Sequence, residues 1–176
     1  MTRQMRNFFT PLALVVMTFA FSAPVLAAKS KLSDEDVVRV VQQAASLLPP
    51  TDVPVTIFDP MEVKVSSAAQ RKFLLSIGGL VIPGERKVRM STRGENIAPA
   101  ANGDTFALYV LASELAHEYV HADQHGEQAA YDRQMEVFQA FIDAGKVDKV
   151  AGEKYLTKLR QIAKSEVLRE EARNQK

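Results

Sequence analysis

Apolar residues recur at helical spacing in four long segments of the chain. Ser33, followed by three acidic residues, is typical of a helix start, because a hydroxyl cap and negative charge in the first turn stabilise the free N–H groups. The apolar stripe then runs to Leu48, and Pro49 and Pro50 end the helix. Similar stripes predict helices over residues 105–125, 127–144 and 150–173.

Between the first of these helices and the other three, the pattern favours strands. Residues 53–58 are rich in β-branched residues, and Pro54 indicates a place near the edge of a sheet. Residues 78–82 and 87–91 flank a Pro-Gly turn and predict a hairpin. Weaker patterns indicate a short strand at 61–65, a short helix at 67–76 and a loop at 93–103. This order predicts an α+β fold in one domain, residues 28–176, with a small, mainly antiparallel sheet packed on long helices.

The first 27 residues are predicted to be a secretory signal peptide. Two arginines precede an apolar run at residues 8–21, which is too short to span a bilayer comfortably. Val25 and Ala27 suit the small-residue positions of a cleavage site, and no cysteine follows that could carry a lipid anchor. We therefore expect cleavage after Ala27 or Ala28 and a periplasmic or secreted bacterial protein. The alternative is an uncleaved membrane anchor.

The composition limits which classes of partner are expected and which side chains could bind a metal. Cleavage after Ala27 would leave 149 residues with 20 basic and 21 acidic side chains. A nearly neutral chain has no electrostatic preference for nucleic acid or anionic membranes, so neither is an expected partner. The chain contains no cysteine, so a metal site would use nitrogen and oxygen ligands only.

The strongest chemical signal is a five-residue run, H-E-Y-V-H, that begins at His117. Residues four apart lie on one face of a helix, so His117 and His121 can present two imidazoles to one metal ion, with Glu118 beside them. The preceding residues 105–116 contain no Gly or Pro and carry an apolar stripe, which is the helical context that such a site needs. The alternative is a solvated helix face that happens to carry histidines.

This run resembles the HExxH motif of the zincin metallopeptidases. The resemblance covers residues 53–144 in the order of elements, although its specific part is 114–131. In that superfamily a small sheet precedes the motif helix, and its edge strand lines the substrate cleft. The resemblance implies one zinc ion bound by His117 and His121, and hydrolysis of amide bonds by a zinc-activated water with Glu118 as general base.

A catalytic zinc takes three protein ligands and keeps a fourth position open. Residues 127–131 resemble the glutamate-x-x-alanine segment of the gluzincin branch, which implies Glu127 as the third ligand. Only five residues separate Glu127 from His121, fewer than is usual in that branch. The chain must therefore turn tightly at Gly126 for this carboxylate to reach the histidines.

Other third ligands stay open at this point. His125 would lie about 12 Å from His117 along a straight helix, so both reach one ion only if the helix unwinds. Asp132 comes near the histidines if the two helices fold back as a hairpin, and Glu136 is a weaker alternative. Candidates for a further hydrogen-bond donor are Tyr131, Tyr155 and His125. Candidates for residues that orient the histidines are Glu114 and Asp123.

The sequence thus predicts an exported zinc metallopeptidase, a hydrolase whose partner is a peptide or protein substrate, with cell-wall peptide as an alternative. No membrane span is expected after signal cleavage, and the oligomeric state is not indicated. A competing hypothesis is a catalytically silent zinc-binding or helical interaction protein of the cell envelope. A closed four-ligand site made by His117, His121, His125 and Glu127 would favour it, because catalytic sites keep a position open.

Overall fold

The computed structural model describes residues 32–175, so the predicted signal peptide lies outside the described residues. The described helices are α1 (Asp34–Ser46), α2 (Ala68–Ser76), α3 (Ile97–Ala101), α4 (Thr105–Ala122), α5 (Glu127–Asp143) and α6 (Lys149–Asn174). The strands are β1 (Val55–Phe58), β2 (Gly79–Val81) and β3 (Val88–Ser91). Within residues 32–175 no helix is both long and apolar enough to cross a membrane.

The α+β class is confirmed, but the prediction of a mainly antiparallel sheet is wrong. The sheet has the order β1-β3-β2 and is mixed. β2 and β3 form the predicted antiparallel hairpin, with Gly79 opposite Met90. β1 pairs with the other side of β3 in parallel, with Val55 opposite Val88. A hairpin is specified by its turn, whereas the neighbour of a more distant strand is set by tertiary packing, which local pattern does not encode.

Three smaller expectations also need correction. Residues 61–65 form turns and no strand. Residues 97–101 form the short helix α3 inside the predicted loop. The first strand begins at Val55, and the carbonyl of Pro54 accepts a hydrogen bond from Val88 N–H. Each difference involves a segment of five residues or fewer, where periodicity carries little information.

Helix α4 is the centre of the molecule. Its apolar residues contribute to two cores, one shared with α1 and the sheet and one shared with α5 and α6. The first, which we call the apolar core, includes Val40, Val88, Met90, Leu111 and Leu115. The polar residues in the second half of α4 are buried as well: Ser113, Glu114, His117, Glu118 and His121. The polar face of this helix therefore points into the protein, and the solvated-face alternative is wrong.

Candidate metal centre

The chain reverses direction between α4 and α5 within four residues. Gln124 adopts a left-handed conformation, with φ of 64°, and His125 N–H donates to the carbonyl of Val120. Gly126 has φ of −81° and ψ of 178° and is the N-cap of α5. The tight turn that the sequence required is present, but Gln124 and not Gly126 supplies the left-handed residue.

The absence of a side chain at Gly126 allows α6 to approach closely. A Cβ at this position would lie 3.0 Å from both carboxylate oxygens of Glu170. The Glu170 carboxylate accepts a hydrogen bond of 3.0 Å from the backbone N–H of Glu127. The C-terminal helix thereby caps the first turn of α5 and fixes the residue that follows the turn.

The turn brings Glu127 back to the two motif histidines. His117 Nε2 and His121 Nε2 are 2.9 Å apart, and each lies 3.6 Å from Glu127 Oε2. One ligand atom from each of the three residues lies within 4.8 Å of the others, and we call them the His/His/Glu group. His117 and Glu127 are fully buried, and His121 is 6% exposed. These are the three residues that the sequence predicted as a ligand set.

Local hydrogen bonding and charge orient the histidines. His121 Nδ1–H donates to the carbonyl of His125 at 3.0 Å, which leaves Nε2 as the acceptor nitrogen that faces the group. Burial lowers the pKa of His121, but interactions with Glu127 and Glu118 outweigh this effect and raise it. Burial and the neighbouring His121 lower the pKa of His117 well below its ordinary value, so this ring is neutral, as a metal ligand must be.

The buried carboxylate of Glu127 indicates that a cation suits this position. Neither of its oxygens has a hydrogen-bond partner among the described residues, and the side chain has no exposed surface. A buried carboxylate without a donor is costly unless a positive charge compensates it. Two imidazole nitrogens and one carboxylate oxygen are a typical zinc ligand set.

Glu118 lies between the histidines and the sheet. A Cβ on Gly79 of β2 would lie 3.0 Å from Glu118 Cγ, so the absence of a side chain there allows strand and carboxylate to approach. Burial raises the pKa of Glu118 to about 7, with the charge of Glu127 adding to the effect and His121 opposing it. Its Oε2 has no hydrogen-bond partner among residues 32–175. A carboxyl group with this pKa can both accept and return a proton near neutral pH.

Glu114, one turn before Glu118, pairs with an asparagine and not with a motif histidine, which was the role considered for it from the sequence. Its Oε1 accepts a 2.8 Å hydrogen bond from Asn96 Nδ2, at the start of α3. Burial raises the pKa of Glu114 to about 8, although the hydrogen bond from Asn96 lowers it. The unpredicted helix α3 thus supplies a donor that keeps this buried carboxyl group paired.

The alternative ligands are not part of the group. The side chain of His125 is exposed, and only its backbone carbonyl contacts His121. Asp132 accepts from Gln128 at 2.9 Å, and Glu136 pairs with Arg133 at 2.7 Å, both at the surface. Asp123 pairs with Arg86 at 2.9 Å and does not orient a histidine.

The two tyrosines are buried beside the site. Tyr131 packs edge-on against His117, with ring centroids 4.6 Å apart. Tyr155 accepts a hydrogen bond from Gln134 at 3.0 Å. Gln134, Glu170 and Asn96 were missed in the sequence, although Gln134 follows Glu127 by seven residues and so shares its helix face.

A separate cleft of about 250 Å³ opens on the other side of α4. Its walls include Pro50, Tyr119, His125 and Arg133 and none of the His/His/Glu group. The cleft is therefore a surface feature that is separate from the candidate metal centre, which lies in the interior.

Comparisons with known proteins assign no family to the chain. No family model, no curated protein and no solved structure matches it. The functional argument consequently depends on the motif and on the geometry of the buried group.

Proposed function

We propose that the protein is an exported, zincin-type zinc peptidase that hydrolyses amide bonds of peptides or proteins. The observation that carries this proposal is the convergence of His117, His121 and Glu127 on one buried point, with Glu118 adjacent to it. The first three would hold the ion, and three protein ligands leave one coordination position open. When bound, zinc would activate a water molecule and polarise the scissile carbonyl group.

Glu118 is the residue that would move the proton. Its carboxylate would take a proton from the attacking water and transfer it to the leaving nitrogen, so that the nitrogen leaves as a neutral amine and not as an anion. The structure supports this role because Oε2 has no hydrogen-bond partner among the described residues. Glu114 is less suited to the role, since Asn96 already pairs with it.

The neighbouring sheet supports a mode of substrate binding. β2 lies at one edge of the sheet, and its outer side pairs with no other strand of residues 32–175. The same strand approaches Glu118 at Gly79. All three residues of β2 are buried, so an extended peptide would have to displace the groups that cover this edge before it could pair with β2 and run past Glu118.

The first test is metal content measured by mass spectrometry on protein purified without chelator. Wild type should carry about one zinc per chain, and a His117→Ala/His121→Ala double variant none. His125→Ala is the matched control, since it removes a nearby histidine whose side chain lies outside the group and retains the carbonyl that orients His121. Loss of zinc in the control equal to that in the double variant would argue against the assigned ligands.

The second test separates binding from catalysis. Glu118→Gln should keep the zinc but reduce hydrolysis of a peptide library by roughly 100-fold or more, the usual contribution of a general base. Hydrolysis by this variant at the wild-type rate would exclude the proposed mechanism.

A second function is favoured by one observation, which is the burial of the site. No ligand is more than 6% exposed. A zinc ion there could stabilise a non-catalytic interaction protein of the cell envelope. Zinc in wild-type protein, together with equal and negligible hydrolysis by wild type and Glu118→Gln, would establish this alternative.

A further inference from the structure

A line of buried polar side chains leads from His117 into the interior. Gln134 on α5 is fully buried, and its Nε2 donates to Tyr155 OH on α6 at 3.0 Å. Tyr155 also interacts with the Ser113 hydroxyl on α4. The Gln134 amide nitrogen is therefore fixed by Tyr155, and the amide oxygen remains available to accept a hydrogen bond.

A nitrogen of His117, like this oxygen, lacks a hydrogen-bond partner. Gln134 Oε1 and His117 Nδ1 are both buried, and neither makes a well-formed hydrogen bond with any described residue. Gln134 lies on the same face of α5 as Glu127 and Tyr131, which both contact His117, and its side chain interacts with the His117 ring. Two unsatisfied polar atoms on neighbouring buried side chains need an explanation, because leaving them unpaired is costly.

The positions of the ring protons supply that explanation. When His121 is neutral, its one ring proton lies on Nδ1 and donates to the His125 carbonyl, so the proton of the 2.9 Å contact between the two Nε2 atoms lies on His117. In that tautomer His117 Nδ1 is an acceptor, as Gln134 Oε1 is, so the two atoms cannot form a hydrogen bond with each other. Once His117 Nε2 serves as a metal ligand, the ring carries its proton on Nδ1 and can donate to Gln134.

We propose that Gln134, oriented by Tyr155, is a positioning residue that accepts a hydrogen bond from His117 Nδ1 and favours the metal-binding tautomer. The inference rests on the zinc site of the proposed function but not on turnover. It makes the two histidines equivalent: each then presents Nε2 to the metal and donates Nδ1–H to a carbonyl oxygen, from a side chain in one case and from the backbone in the other. Such partners typically change metal affinity about 10- to 100-fold.

The test is the zinc dissociation constant, measured by competition with a chromophoric chelator. Gln134→Met keeps the size of the side chain but removes the acceptor, and we expect affinity to fall about 10- to 100-fold. Gln134→Glu keeps the acceptor and should retain affinity. Gln139→Met is the control, because it removes an amide of the same helix that donates to Asp143 near the surface. Equal losses in the Met and Glu variants would overturn the proposal.

Tyr155→Phe tests whether Tyr155 acts through Gln134. Alone it should weaken zinc binding less than Gln134→Met does, and added to Gln134→Met it should have no further effect. Additive losses would contradict the proposed line of contact. In zinc-loaded wild type, NMR of labelled imidazole nitrogens should show the His117 proton on Nδ1, protected from exchange; a rapidly exchanging proton in wild type would also overturn the proposal.

The outcomes distinguish this inference from the proposed function. Zinc binding without hydrolysis, but with the predicted effect of Gln134→Met, would reject the peptidase and retain the positioning role. Zinc binding that Gln134→Met leaves unchanged would reject the positioning role alone. Wild-type protein that binds no zinc would reject both.

Discussion

The apolar core and the His/His/Glu group are both buried against α4, but burial has opposite consequences in them. In the apolar core, removal of side chains such as Leu115 from water is itself stabilising. In the His/His/Glu group, burial leaves both oxygens of Glu127 without a donor. The first region therefore stabilises the fold under all conditions, whereas the second should do so only with a cation bound.

The largest expected effect comes from the apolar core. Leu115 is fully buried there, so Leu115→Ala should lower the free energy of unfolding by about 2–5 kcal/mol through lost burial and the cavity that it leaves. Denaturant titrations should give the same loss with added zinc and with chelator. Leu168→Ala, at an exposed position of α6, is the control and should change stability by less than about 0.5 kcal/mol.

Glu114 lies on α4 between the two regions and gives a pH-dependent effect. Its pKa is raised by burial from the ordinary 4.5 to about 8, so the folded chain binds more protons than the unfolded chain between those values. The contribution of this group to stability is therefore highest at low pH and falls as pH rises from about 4.5 to about 8. In the Glu114→Gln variant the side chain cannot ionise but keeps an oxygen that accepts from Asn96. The variant should therefore lack the part of the loss of stability with rising pH that Glu114 causes.

The gain from Glu114→Gln should be largest near pH 9, where it should reach a few kcal/mol, because each pKa unit corresponds to about 1.4 kcal/mol. Unfolding should be measured from pH 5 to pH 9 with chelator present, so that zinc does not contribute. Glu153→Gln, an exposed glutamate of α6, is the control. A wild-type profile that the Glu114→Gln substitution leaves unchanged would contradict the assignment.

A substitution of Glu127, unlike Leu115→Ala, should change stability by an amount that depends on zinc. Free zinc at a hundred times its dissociation constant should stabilise wild type by about 2.7 kcal/mol. Glu127→Gln should lose most of that gain, yet its metal-free form should be more stable than wild type because the buried charge is removed. Thermal unfolding with zinc and with chelator measures both. Glu136→Gln, which lies on the same helix at the surface, should retain the full response to zinc.

The features that could be predicted from the sequence are those that depend on residues close together in the chain. The helices, the hairpin and the His/His/Glu group follow from periodicity and from short motifs, which are local properties. The parallel pairing of β1 with β3 and the approach of Glu170 to Gly126 depend on residues 33 and 44 positions apart, such as Val55 with Val88 and Gly126 with Glu170. No local pattern reports such contacts, so these features required the structure.

The residues that pair with buried groups in and near the site were missed for a related reason. Gln134 and Asn96 are ordinary polar residues in the sequence, and only the fold shows that both are aimed at buried groups. Glu170 lies within a highly charged helix, where a solvated face is the simplest interpretation. Motifs identify atoms that could bind a metal, whereas the residues that hold those atoms in place come from other elements of the fold.

The smallest expected effect concerns the contact between α6 and the start of α5. Glu170→Ala removes the acceptor of the Glu127 N–H and should cost about 1 kcal/mol, as loss of a helix cap does. Chemical denaturation measures this cost, and Glu171→Ala, at the exposed neighbouring position, is the control. The cost should be present with and without zinc, because the hydrogen bond uses the backbone N–H of Glu127 and not the carboxylate that would bind the metal.

Gly126→Ala sharpens this prediction. The backbone angles of Gly126 suit alanine, but Gly126 is the N-cap of α5, where alanine is less favourable than glycine. A further loss of stability would come from the 3.0 Å approach of the new Cβ to the Glu170 carboxylate. Gly126→Ala should therefore be more destabilising in wild type than when Glu170 is also alanine, and a double-mutant cycle measures the difference as a coupling energy. Purely additive costs would show that Gly126 is required for the turn and not for the packing of α6 against it.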